Sequence, residues 1–188
     1  MLRLSNPEQQ LLLEIARDAV HRHLSDLPRE HPEIADGAVT KPHGVFVSIH
    51  SGTELRGCIG RIQSEKPLYE TTAECAISAA VADPRFPPLQ FVELPNVCFE
   101  ISALSPLEQI DEIERIEVGR HGLLIEKGSG RGLLLPQVAS RYDWDRVEFL
   151  RQTCLKAGLG PDDWKRDATL FAFEALVFEE AQSVTPAQ

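Results

Sequence analysis

The chain has no CxxC pair, no Lys/Arg run longer than two, and no apolar stretch of membrane-spanning length. Each absence removes a class of function. Four cysteines (Cys58, Cys75, Cys98 and Cys154) scattered singly leave a zinc ribbon or a thioredoxin-type redox motif without its pair. No HxxxH, HExxH or carboxylate cluster appears, and His21 and His23 stand two apart on a helix, where they cannot share a face, so no metal site is expected. Neither GxGxxG nor GxxxxGK[ST] occurs; Gly128-Ser129-Gly130-Arg131-Gly132 reads as a hairpin turn rather than a phosphate cradle, and no cofactor is implied. With a net charge of −10 and a pI near 5.1, nucleic acid and anionic lipid are poor partners. The opening segment lacks the apolar core of a signal peptide, which predicts a cytoplasmic protein with reduced thiols.

What is present suits a globular protein. At 188 residues, 43% hydrophobic and 26% charged, the chain has enough apolar material for one domain, or one with a small satellite. Ser5-Asn6-Pro7-Glu8 is helix-start chemistry, and Leu11, Leu12, Ile15, Ala19 and Val20 carry that helix to about Leu24. Residues 26–43 read as a proline-bearing loop. Val45, Val47 and Ile49 then alternate with Phe46, Ser48 and His50, a strand pattern, and Ser51-Gly52-Thr53-Glu54 turns the chain into a second strand over 55–62. A small-faced helix follows Pro67 and ends before Asp83-Pro84, and a loop stiffened by three prolines leads to a strand over 97–103. Residues 111–118 read as a short helix or an edge strand, and the leucine runs at 123–125 and 133–135 flank a second hairpin turn. A third helix opens at Asp143-Trp144-Asp145 and stops at Gly158, and Thr169 to Glu179 reads as a last strand. Residues 181–188 are expected to fray. This order predicts an α+β fold with a largely antiparallel sheet flanked by helices, as one domain over 1–188.

The segment Leu55-Arg56-Gly57-Cys58-Ile59-Gly60, with Arg61 behind it, sets one thiol between two guanidinium groups inside a strand. Strand alternation would place Arg56, Cys58, Gly60 and Ile62 on one face and Leu55, Gly57, Ile59 and Arg61 on the other, unless a bulge at Gly57 or Gly60 intervenes. A nucleophile must be a thiolate. One arginine about 7 Å away contributes roughly 2.4 kcal/mol at an effective dielectric of 20 but only ~0.6 kcal/mol in bulk water, so exposure decides reactivity.

The same hexapeptide resembles the signature of the AMMECR-domain family. Gly44-Val45-Phe46-Val47, Asp83-Pro84-Arg85-Phe86, Phe99-Glu100-Ile101-Ser102, Leu134-Leu135-Pro136-Gln137-Val138, Phe149-Leu150 and Lys156-Ala157-Gly158-Leu159 match in order, across about residues 7–180. Prokaryotic members are called AmmeMemoRadiSam system protein A. The resemblance implies a compact α+β fold with a larger and a smaller subdomain, the signature segment lining a cleft between them. It also implies association with Memo-like and radical-SAM proteins, but no settled reaction.

From the residues themselves come the candidate roles. Cys58 is a nucleophile or a packed apolar residue. Arg56 is an anion clamp for a small anionic ligand, or an ion-pair partner of Glu100 or Asp83. Glu100 is a proton carrier or that structural partner. Gly57, Gly60 and Arg61 flank the thiol, and Asp83 and Arg85 are held ready by prolines, although Asp83 could equally cap the preceding turn. His50 and His121 read first as solvated residues near turns. An enzyme acting on a small anionic substrate and a non-catalytic binding module both remain open at this point.

Overall fold

Ser5 starts the first helix as its sequence directs: its N–H donates to the Glu8 carboxylate at 2.8 Å, and Pro7 occupies the first turn. The computed structural model describes residues 2–28 and 34–181. They contain four helices, α1 (Asn6–Leu24), α2 (Leu68–Val81), α3 (Pro136–Arg141) and α4 (Arg146–Lys156). Seven strands accompany them: β1 (Val45–Ser51), β2 (Glu54–Arg61), β3 (Cys98–Leu104), β4 (Glu108–Ile110), β5 (His121–Lys127), β6 (Gly130–Leu134) and β7 (Thr169–Glu179). No helix among the described residues is long and apolar enough to cross a membrane. The expected α+β class with antiparallel pairing is what the chain adopts.

The chain divides into two compact units. The larger comprises Arg3–Leu104 and Leu176–Gln188. Its β1 pairs antiparallel with β2 on one side and β3 on the other, leaving β2 at an edge. Val45, Val47 and Ile49 of β1 and Phe99, Ile101 and Ala103 of β3 are fully buried, because period-two alternation turns them all toward the helices. α2 packs on β1 and β2, and α1 on α2 and β3. Its small residues Ala76, Ala79 and Ala80 let α2 lie close to the strands. The C-terminal end of β7 joins this unit, where Glu180 donates its N–H to Phe99 O at 3.0 Å and its carboxylate takes both Arg17 Nε and Nη2 at 2.6 Å.

The smaller unit comprises Met1–Leu2 and Ser105–Ala175. β7 pairs there with β4 and with β5, and β5 with β6, all antiparallel. Ile116, Leu123, Ile125, Phe149, Leu150 and Cys154 form its core. Asp145 caps α4 by accepting Glu148 N–H at 2.8 Å.

Two local expectations are corrected. Of the short helix or edge strand expected over 111–118, only a single 3-10 turn forms, at Ile113–Arg115, and a strand lies earlier, at β4. The helix count is four, because Pro136 opens the short α3 directly after the leucine run: a proline at the first helical position loses no hydrogen bond. The expected frayed tail falls, beyond Ala181, outside the described residues, as do residues 29–33 of the first loop.

Candidate functional site

All eight sequence-predicted site residues lie in the larger unit, and backbone register sorts them. Ser48 of β1 stands opposite both Cys58 of β2 and Glu100 of β3, so Cys58, Ser48 and Glu100 form a row across three strands. They occupy the sheet face turned away from α1 and α2, and all three are half-buried. The Ser48 hydroxyl lies 3.3 Å from Cys58 Sγ and can donate to it. The Glu100 side chain makes no hydrogen bond or ion pair among the described residues, and Asp83 pairs with Arg85, so neither carboxylate is the partner of Arg56. Beside the row, the Phe46 ring lies over Gly60: a Cβ there would come within 2.3 Å of it. His50, expected as a solvated turn residue, sits in β1 on the same face, and its Nε2 is buried without a partner among the described residues. His121 falls in β5 of the other unit, where its Nδ1 accepts Glu117 N–H.

Regular alternation in β2 is broken by a bulge, not at Gly57 or Gly60 but at the residue before Gly57. Ile49 pairs with Gly57 and His50 with Leu55, which leaves Arg56 as the extra residue. Its guanidinium, 15% exposed, donates to the Glu93 carboxylate through Nε and Nη2 (3.0 and 3.2 Å) and to Pro87 O through Nη1 at 2.8 Å. Every nitrogen of the group is thus engaged by the loop that runs along the edge of β2, and Arg56 is not the free anion clamp that alternation suggested. The partner Glu93 was missed because it stands 37 positions away, in a turn with no pattern of its own. Glu93's carboxyl is held below its ordinary value, chiefly by Arg56. Replacing Arg56 with Gln is expected to destabilise the protein by ~1–2 kcal/mol and to speed amide exchange along residues 86–93, since one charged pair and one carbonyl lose their donor. Unchanged exchange there would refute this.

Arg61 and Gly57 fall on the opposite face from Cys58, where alternation placed them. A Cβ on Gly57 would lie 2.1 Å from Ala79 O, and Arg61 pairs with Glu74, so both face α2.

Asp83 and Arg85 take the place that Arg56 loses. Cys58 sits in an edge strand with its N–H and C=O turned outward. Asp83, 4% exposed, accepts that N–H at 2.8 Å. It also accepts Arg85 N–H (3.1 Å), Nε (2.9 Å) and Nη2 (2.6 Å), and Arg85 Nη2 returns a hydrogen bond to Cys58 O at 3.1 Å. Two side chains therefore close the edge as a neighbouring strand would. The Arg85 hydrogen bond above all, with those from the Cys58 and Arg85 backbone, holds the Asp83 carboxyl far below the carboxylate range. Arg85 is raised, first by Asp83 and to a lesser degree by the Cys58 thiol beside it. With its side chain 55% exposed, Arg85 keeps Nη1 without a partner among the described residues. The cation next to Cys58 is thus supplied by a residue 27 positions away and not by its neighbours in the signature.

The remaining thiols are less available. Burial pushes Cys75 up to about 11, and burial also raises Cys98 and Cys154. No cluster of metal-ligating side chains occurs among the described residues.

Relatives share this chain nearly end to end. The family model described as AMMECR1 matches residues 13–178. A protein of Methanopyrus kandleri is 40% identical over 194 residues, covering 98% of this chain and 94% of the relative. Another, from Methanothermobacter thermautotrophicus, is 43% identical, with 94% and 96% covered. The crystal structure of an uncharacterised protein from Pyrococcus horikoshii is similar at a TM-score of 0.83 and 41% identity, over 90% of this chain and 89% of that one. The chain belongs to the AMMECR1 family.

Proposed function

We propose that the polar face of β1, β2 and β3 is a thiol-centred ligand site and that the protein acts there on a small substrate carrying an anionic group. The observation that supports this most is the row Cys58–Ser48–Glu100 with the Arg85 guanidinium beside the thiol. In this reading Cys58 Sγ adds to an electrophilic carbonyl carbon, whose C=O π pair passes to the carbonyl oxygen, while the thiol proton leaves toward the Ser48 hydroxyl and the unpaired Glu100 carboxylate. Arg85 Nη1 holds the anionic group, and Asp83 holds Arg85. This differs from the simplest reading of the signature only in which arginine meets the anion.

Alkylation of the native protein with iodoacetamide, each cysteine resolved by mass spectrometry, tests it. Cys58 is expected to react at least tenfold faster than Cys75 and Cys154, whose thiols are buried and raised. Labelling of Cys58 only as the protein unfolds would end the nucleophile reading.

A second reading has one observation in its favour: Arg56 and Arg61 are already bound in ion pairs, which suits a binding surface better than a reactive centre. The protein would then be a non-catalytic module of the AmmeMemoRadiSam system protein A type, working with Memo-like and radical-SAM proteins. Under it Cys58→Ser leaves partner binding intact and Arg85→Gln weakens it. Under the first reading Cys58→Ser abolishes activity with the fold unchanged.

A further inference from the structure

At the two ends of the Cys58–Ser48–Glu100 row stand a guanidinium that is ion-paired to Asp83 yet keeps one nitrogen free, and a carboxylate with no partner among the described residues. At the β2 edge, Arg85 is clamped through Nε and Nη2 to Asp83, which fixes its plane and leaves Nη1 open. On β3, two strands away, the Glu100 carboxylate has no partner among the described residues. Between them lie a hydroxyl and a thiol 3.3 Å apart, and the Phe46 ring walls the row along one side. A ligand bearing only negative charge meets Arg85 favourably and Glu100 unfavourably. One bearing only positive charge meets the reverse. A ligand with an anion at one end and a cation at the other satisfies both.

The spacing limits its length. Neighbouring strands lie about 4.8 Å apart, so Cys58 and Glu100 are separated by roughly 9.6 Å at the backbone. Arg85, beyond the β2 edge, adds about one more spacing, and a hydrogen bond of about 2.9 Å at each end of the ligand takes up a similar length. Extended peptide advances at most ~3.3–3.6 Å per residue, so three residues span about 10 Å. Carbonyl and amide groups between the ends would meet the Ser48 hydroxyl, and a side chain would meet Phe46.

We infer that this face takes a short zwitterionic peptide of about three residues, laid across β2, β1 and β3 with its carboxylate on Arg85 Nη1 and its ammonium on Glu100. The inference rests on the reading of the Cys58 face as a ligand site and adds the substrate class.

Trialanine, N-acetyl-trialanine and trialanine amide serve as probes, and the pseudo-first-order rate of Cys58 alkylation by iodoacetamide in the intact protein is the readout. Trialanine at millimolar concentration is expected to slow alkylation saturably, at least fivefold, and either blocked form less than twofold. Arg85→Gln is expected to abolish the preference for a free carboxylate. Because that variant strands the buried Asp83, the decisive one is Glu100→Gln, which breaks no contact: with each rate taken relative to that variant's own ligand-free rate, trialanine and its acetylated form should then protect equally. Equal protection by all three peptides in the unaltered protein, or none by any, overturns the inference while leaving Cys58 a reactive thiol. Absence of native Cys58 alkylation overturns both this inference and the reading beneath it.

Discussion

Alanine at position 57 is expected to lower the unfolding free energy by about 3 kcal/mol, the upper part of the usual range for overpacking. The added methyl would lie 2.1 Å from Ala79 O and 3.0 Å from its carbonyl carbon, both in the backbone of α2. A flexible side chain could swing aside; a helix backbone cannot without moving the whole α2–β2 contact. Gly52 is the control. It adopts φ +59 in the β1–β2 turn with nothing within 4 Å of its missing Cβ. Asparagine there faces a mild conformational penalty and no clash, so its unfolding midpoint should move far less. Urea unfolding of both variants decides the matter. If Gly57→Ala unfolds at the wild-type midpoint, the strand and helix are not in the contact described, and the glycine must be explained from the ligand side.

Loss of the Asp83 charge is the second large effect. Asp83→Asn is expected to cost about 3 kcal/mol at neutral pH, because a buried carboxylate that accepts four hydrogen bonds, three of them from Arg85, becomes an amide with only one acceptor. The pH dependence has a definite sign. Asp83 in the folded protein is held well below its ordinary value, whereas in the unfolded chain it titrates near 3.9. The unfolded state therefore takes up a proton first as pH falls. The stability this carboxylate contributes is fully present above about pH 4 and is lost progressively below it. The gap between wild type and Asp83→Asn should be constant from pH 5 to 8 and should narrow from pH 4 to 2. A gap that stays fixed across the acid range would show that the charge is not what stabilises the edge.

The order of elements was legible because their signals are local. Ser5-Asn6-Pro7-Glu8 announces α1, and the alternation over 169–179 announces β7 at its observed limits. The 45–61 hairpin was equally plain, and with it the burial of Val45, Val47 and Ile49. The placement of Cys58 on β2, Glu100 on β3, and Asp83 and Arg85 in the loop beside β2 was legible from the same local signals. Partnership was not. Alternation assigned Arg56 to the thiol's side, and a single extra residue in β2 sent it to Glu93 instead. A bulge leaves no mark in a sequence when the residue it inserts is an ordinary arginine, and the compensating cation came from far along the chain. Ser48 was missed for a related reason. It looked like the polar half of an alternating strand, and only the pairing register shows it lying between Cys58 and Glu100. Gly57 belonged to the signature for packing against α2, a cause that a motif cannot distinguish from ligand approach.

The larger unit is discontinuous in sequence: it begins at Arg3, breaks at Leu104 and resumes only at Leu176, with the smaller unit's 105–175 inserted between. During synthesis the insert therefore leaves the ribosome whole while its host still lacks its last strand. Until Glu180 emerges, Arg17 has no carboxylate and the Phe99 N–H has no acceptor. The unit that carries Cys58 is thus completed only after the inserted one, when Leu176 to Glu180 have emerged.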